Sequence, residues 1–189
     1  MRELEARLRA ASRMQLTFDI TARGVVEADV RGLLVVERGK LVRIDASGRF
    51  AGAPGEVVLE ADARSVRGTS GTKRFEIQRP AELDAALLLG LTRMGALHNL
   101  SLLWSGRPPE HGDGGIETWV TTTDHRVAAR EDGGDAIAFG ITVDGTPIGE
   151  ATLVLDGAGW PSLREQTMRF PGGEMTVTER YEAIEISEG

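Results

Sequence analysis

The chain has 189 residues, a formal net charge of −7 and no cysteine. The absent thiols exclude disulfides, thiolate catalysis and cysteine-ligated zinc or iron–sulfur centres, and the acidic balance argues against nucleic acid or an anionic membrane surface as main partner, since both need a basic footprint. Twenty-four glycines with 5% aromatics suit a turn-rich β protein better than a helical bundle.

Met1 runs into Arg2-Glu3-Leu4-Glu5 with no apolar core of signal-peptide length. That start fits either a cytosolic protein or one whose targeting segment is absent from this chain. Residues 2–13 place Leu4, Leu8 and Ala11 at helical spacing and predict a short amphipathic helix. Met14, Leu16, Phe18 and Ile20 then alternate with Gln15, Thr17 and Asp19, the period of a first strand. The alternation is strictest from Val25 to Glu37, with Val26, Ala28, Val30, Gly32, Leu34 and Val36 on one side and Glu27, Asp29, Arg31 and Glu37 on the other. Such a strand is half-buried, because a strand covered on both faces reads as a continuous apolar run.

Arg38-Gly39-Lys40 reads as a hairpin turn into a strand over Leu41–Ala46, and Ser47-Gly48 as a second turn. Ala53-Pro54-Gly55 reads as a break before a strand at Glu56–Ala61, Gly68–Gly71 as a β-turn, and Thr72–Gln78 as a further strand. Pro80 suits a helix start, with Glu82 and Asp84 complementing the positive end of the dipole. From Leu83 to Trp104 the residues are apolar on nearly every side, with Gly90 and Gly95 as points of division or kinking. A helix apolar all round is buried all round, so this stretch is expected against the apolar face of the sheet. Its longest uninterrupted apolar run, Ala85 to Leu91, is far short of the roughly 20 residues a bilayer requires, and the chain reads as soluble. Gly106–Gly115 reads as an exposed loop. Strands are expected again at Ile116–Thr123, Asp135–Val143, Ile148–Leu155, Leu163–Phe170 and Met175–Ile186, separated by Asp-Gly and Pro-Gly turns.

Candidate chemistry is sparse. Glu110, His111 and Asp113, with Asp124 and His125, offer nitrogen and oxygen ligands for a divalent metal. No two histidines stand at helical i, i+4 spacing, and solvated loop residues are the better reading. His98 reads as a general base, as a buried histidine bonded to backbone, or as a residue facing out at a helix end. Ser70, in Gly68-Thr69-Ser70-Gly71, lacks the G-x-S-x-G frame of a nucleophile elbow. Arg93, among leucines and methionines, must be paired or reach water along its stem; Arg43, on the opposite face from Val42 and Ile44, fits a solvated position.

The stretch Leu4-Glu5-Ala6-Arg7-Leu8, then Phe18, then Gly32-Leu33-Leu34-Val35-Val36-Glu37-Arg38, resembles the opening of the outer-membrane lipoprotein carrier (LolA/LolB-like) families. Ala151–Leu155, Gly159-Trp160-Pro161, Phe170 and Glu174-Met175-Thr176-Val177 resemble the closing hairpins of that superfamily. The resemblance implies an incomplete antiparallel barrel whose concave apolar face is covered by helices, a site for acyl chains, no catalytic residues, and a place in the bacterial envelope or periplasm. The chain departs from the family in its few aromatics near the first strands and its longer apolar helical insertion.

The expected fold is therefore α+β and mainly antiparallel β: one domain over 1–189, in which a curved half-barrel sheet of about nine to eleven strands wraps a helical insertion at residues 81–104. The expected function is non-enzymatic binding or carriage of an apolar small molecule or acylated protein, with transient membrane contact and without cofactor or metal. Phe18, Leu34, Val36, Leu87, Leu91, Met94, Leu97 and Trp119 are the candidate lining. The alternatives are an envelope interaction module whose helices simply fill the half-barrel, or a metal-dependent hydrolase built on the acid–histidine residues.

Overall fold

The computed structural model describes residues 1–109, 115–131 and 133–188. Helix α1 (Arg2–Ala10) precedes six strands: β1 (Ala11–Gly24), β2 (Ala28–Glu37), β3 (Leu41–Phe50), β4 (Ala53–Ala61), β5 (Ser65–Ser70) and β6 (Lys73–Gln78). Three helices follow, α2 (Leu83–Arg93), α3 (Ala96–Trp104) and α4 (Gly115–Trp119). Five strands complete the chain: β7 (Val120–Ala129), β8 (Asp135–Val143), β9 (Thr146–Leu155), β10 (Pro161–Phe170) and β11 (Gly173–Glu188).

Among the described residues these strands form one open, curved sheet in the order β6-β5-β4-β3-β2-β1-β11-β10-β9-β8-β7. Every pairing is antiparallel. Two meanders thus meet along β1 and β11, and the edge strands β6 and β7 are joined in sequence through the helices. The period of two carries through the ladder: Ile20 stands opposite Val30, Leu34 opposite Ile44, and Ile44 opposite Leu59. All of these are buried.

Helices α2 and α3 lie on the concave face, as their all-round apolarity requires. Leu83, Leu87, Leu89, Leu91, Leu97, Leu100 and Leu103 are buried in one core with the strand residues. Gly95 divides the two helices, and its φ of +83° turns the chain between them. Gly90 stays within α2, where a Cβ would stand 2.9 Å from the Asn99 amide nitrogen of α3.

Several boundaries differ from the sequence reading. Val25 and Val26 form a bend, and the strand begins at Ala28. Ser47-Gly48 is no turn: β3 continues to Phe50, with Gly48 paired to Val30 on one side and Gly55 on the other. Ala53-Pro54-Gly55 does not break the chain either. Pro54 pairs with Arg49 of β3, while β5 covers only Val57–Ala61, so the missing N–H falls where the strand has a single neighbour. Gly68–Ser70 belongs to β5, a strand that the glycines concealed; the turn is Gly71-Thr72. Pro80 lies ahead of a helix that starts at Leu83. Ile116–Trp119 is a helical turn, and β7 starts only at Val120.

Candidate apolar binding site

The junction of α2 and α3 is held to the sheet by two buried charges. Arg164 of β10 and Glu179 of β11 are cross-strand partners on the concave face. The Glu179 carboxylate accepts the N–H groups of Ala96 at 2.8 Å and Leu97 at 2.9 Å, the first donors of α3. The Tyr181 hydroxyl also donates to it. Arg164 donates to the carbonyls of Thr92 and Arg93, each at 2.8 Å, at the end of α2. Each charge faces the helix end of opposite partial charge and satisfies backbone groups that a helix terminus leaves without partners. Burial pushes the Tyr181 hydroxyl well above its ordinary pKa, and the Glu179 charge adds to this; burial also lowers that of Arg164.

Arg93 makes a second tie. It does not run out to water but binds the Glu5 carboxylate of α1 through Nε at 2.8 Å and Nη2 at 2.9 Å, and donates to the carbonyl of Val120 at 2.9 Å. Burial opposes the ionised form of Glu5, but the hydrogen bonds and charge of Arg93, with help from Thr92 and Arg9, outweigh it and hold the pKa below the usual value.

With the helices so placed, a cavity of about 420 Å³ remains between α3, α4 and the ends of the strands nearest the β1–β2, β3–β4, β8–β9 and β10–β11 connections. Met94, Leu97, His98 and Ser101 line the helical side, with Trp119 from α4. Val26, Phe50, Val143, Ile148, Met168, Phe170 and Met175 form the other walls, and Gln166 joins them from β10. The His98 ring lies 4.9 Å from that of Trp119, and the Ser101 hydroxyl donates to the His98 carbonyl at 2.7 Å. At the rim Phe170 is 42% exposed. The size falls in the range of about 300–1,000 Å³ usual for small-molecule sites, and the mostly apolar wall with a few polar groups is their usual composition.

Of the candidate lining residues, Met94, Leu97 and Trp119 face this cavity together. Phe18, Leu34, Leu87 and Leu91 are packed in the core away from it. Phe18 lies over Gly32, where an added Cβ would stand 2.6 Å from the ring. Val36 borders a smaller pocket of about 180 Å³ with Met14, Ala85 and Leu88. The cavity residues from strand ends escaped the sequence reading because they lie beside turns. Arg164 and Glu179 left one signal: Glu179 shares its register with Val177 and Tyr181, and Arg164 shares one with Met168, so both polar residues fall on the buried side of the alternation.

The remaining candidates are dispersed. Ser70 donates to the Trp104 carbonyl at 3.1 Å. Arg43 is about half exposed and pairs with Asp45 at 3.2 Å. His125 is exposed, 2.9 Å from the Thr122 hydroxyl, with its ring stacked 5.9 Å from Phe139. Asp124 stands at a bulge of β7 with φ +54°. Glu110, His111 and Asp113 lie outside the described residues. Among the described residues no three His, Asp or Glu side chains gather as a metal site would require.

No family model and no curated protein matches the chain. Solved structures similar to it in fold include a LolA superfamily protein of Nitrosomonas europaea, at 9% identity over 98% of this chain and 94% of that one, with a TM-score of 0.40. LprF from Mycobacterium bovis shares 9% identity over 100% and 97% of the two chains, at a TM-score of 0.38. A β-barrel-like protein from Brucella abortus, with a domain of unknown function, shares 8% over 94% and 98%, at 0.41. Likeness at this level concerns overall form alone.

Proposed function

We propose that the protein binds an apolar ligand, a lipid or the acyl part of a modified protein, without catalysing a reaction on it. The observation that carries this reading is the cavity of about 420 Å³ beneath α3, walled by Met94, Leu97, Trp119, Ile148, Met168 and Phe170. At about 0.8 kcal/mol per buried methylene, an acyl segment of roughly eight methylenes gains ~6 kcal/mol. That corresponds to a dissociation constant in the tens of micromolar, before ordering costs. Affinity of this order suits uptake and release better than storage. A place in the bacterial envelope belongs to the same proposal and rests on the motif resemblance.

The filled core beneath β1–β5, where Phe18, Leu34, Leu87 and Leu91 are buried and do not line the cavity, favours a second reading, an interaction module without ligand. Native mass spectrometry with lipid extraction, followed by titration with the neutral dye Nile red, separates the two. Binding that is lost in Ile148→Trp, which fills the cavity from its wall, is the expected result. Absence of co-purified lipid together with dye binding unchanged by that substitution favours the module.

A further inference from the structure

The cavity wall contains no Lys, Arg, Asp or Glu among the described residues, yet one of its polar groups is oriented from behind. The oxygen Oε1 of Gln166 accepts from Arg164 Nε at 2.9 Å. An arginine can only donate, so the amide oxygen must face it and the amide nitrogen must face away. Arg164 is itself immobilised by the carbonyls of Thr92 and Arg93. Gln166 is 6% exposed, and no hydrogen bond of its nitrogen is found among the described residues; the buried side-chain atom without a partner is Asn99 Oδ1, so the Gln166 nitrogen keeps contact with solvent. A ligand that displaces this solvent must offer an acceptor in its place or leave the donor buried and unpaired, which costs free energy. The position along β10 is also informative. Phe170 stands at the rim on the same strand, four residues away, which is roughly 13 Å at the rise of a β-strand. Gln166 therefore presents its N–H groups deep in a mostly apolar site whose other polar side chains include His98 and Ser101.

We propose that Gln166 selects an uncharged ligand with a terminal carbonyl, such as an ester, ketone or amide, that enters carbonyl first and leaves its hydrocarbon against Met168, Ile148 and Phe170. A carboxylate at the same depth would lose its water, and the cation behind Gln166, Arg164, is already committed to Gln166 and to the carbonyls of Thr92 and Arg93, which disfavours it. A plain hydrocarbon would leave the Gln166 donor unpaired. This inference rests on the proposed function and adds the chemistry of the ligand's polar end.

The test is displacement of Nile red by methyl laurate, laurate and dodecane, in the wild type and in two variants. Gln166→Leu removes the donor. Gln166→Glu retains an oxygen for Arg164 and replaces only the amide nitrogen, so it preserves the anchoring contact. Methyl laurate is expected to compete about tenfold more strongly than laurate or dodecane, and each folded variant to lower its affinity about five- to tenfold, the effect of one hydrogen bond. Equal competition by the three compounds, stronger competition by laurate, or methyl laurate affinity unchanged in a variant that melts cooperatively would overturn the inference while leaving the cavity proposal intact. Should the variants fail to fold, the wild-type order of the three compounds decides. If Nile red itself does not bind the wild type, the proposed function falls and this inference with it.

Discussion

Arg164 and Glu179 show how two residues in adjacent strands organise the helical layer. The two make no direct ion pair, but each lies in the other's field, and removing one buried charge leaves the other desolvated without its counter-charge, which costs up to about 3–5 kcal/mol. Arg164→Met also strips the carbonyls of Thr92 and Arg93 of their donor, so it is expected to lose stability at the upper end of that range in urea unfolding. Glu179→Gln should cost less, since one amide oxygen still accepts from the start of α3. Because the two groups face each other across β10 and β11, the double variant is expected to lose less than the two single losses added together. Additive losses would mean that each charge serves only its own helix end.

At the scale of elements, the break between α2 and α3 depends on a residue with two demands placed on it. Gly95 has φ +83°, and a Cβ there would lie 2.5 Å from the Glu179 carboxylate. Gly39, in the β2–β3 turn, has a similar φ of +67° with nothing within 4 Å of the same position. Gly39→Ala incurs a left-handed backbone cost of roughly 1–2 kcal/mol, whereas Gly95, at φ +83° and ψ 165°, lies in a region essentially restricted to glycine and its backbone cost is larger. Only Gly95→Ala also pushes Glu179 off the N–H groups of Ala96 and Leu97. Its loss of stability is therefore expected to exceed that of Gly39→Ala by at least the ~1 kcal/mol of a displaced hydrogen bond, measured by chemical denaturation of both variants. Equal losses would show that neither the backbone nor the carboxylate adds a cost at Gly95.

Across the whole molecule, the sheet is as strong as the seam that joins its halves. β1 and β11 pair from Ala11 to Gly24 and carry the longest strands, of 14 and 16 residues, with a further strand on the other side of each. β6 and β7 have a neighbour on one side only. Amide exchange tracks the most resistant opening of each segment, so the slowest exchange is expected in β1 and β11 around Phe18–Ala22 and Val177–Tyr181, and the fastest strand exchange in β7. Exchange equally fast at the seam and at the edges would mean that the two meanders open independently.

Much of this architecture was legible in the residues. The period of two over Val25–Glu37 and the all-round apolarity of Leu83–Trp104 specify which side chains need cover, and an antiparallel sheet packed on buried helices is the economical way to provide it. Turn chemistry was less dependable: Ser47-Gly48, Ala53-Pro54-Gly55 and Gly68–Ser70 carry turn residues but lie in strands, because neighbouring strands satisfy their backbone in register. Periodicity states that a side chain leaves water, not what it meets there. Phe18 and Leu34 meet other core side chains, while Met94, Leu97 and Trp119 border open space beside the strand ends. Which half of the face is filled, and where Gln166 points its amide, follow from the length of α2, the bend at Gly95 and the register of β10 against β11. Those are relations between segments far apart in the chain, and only the tertiary structure could decide them.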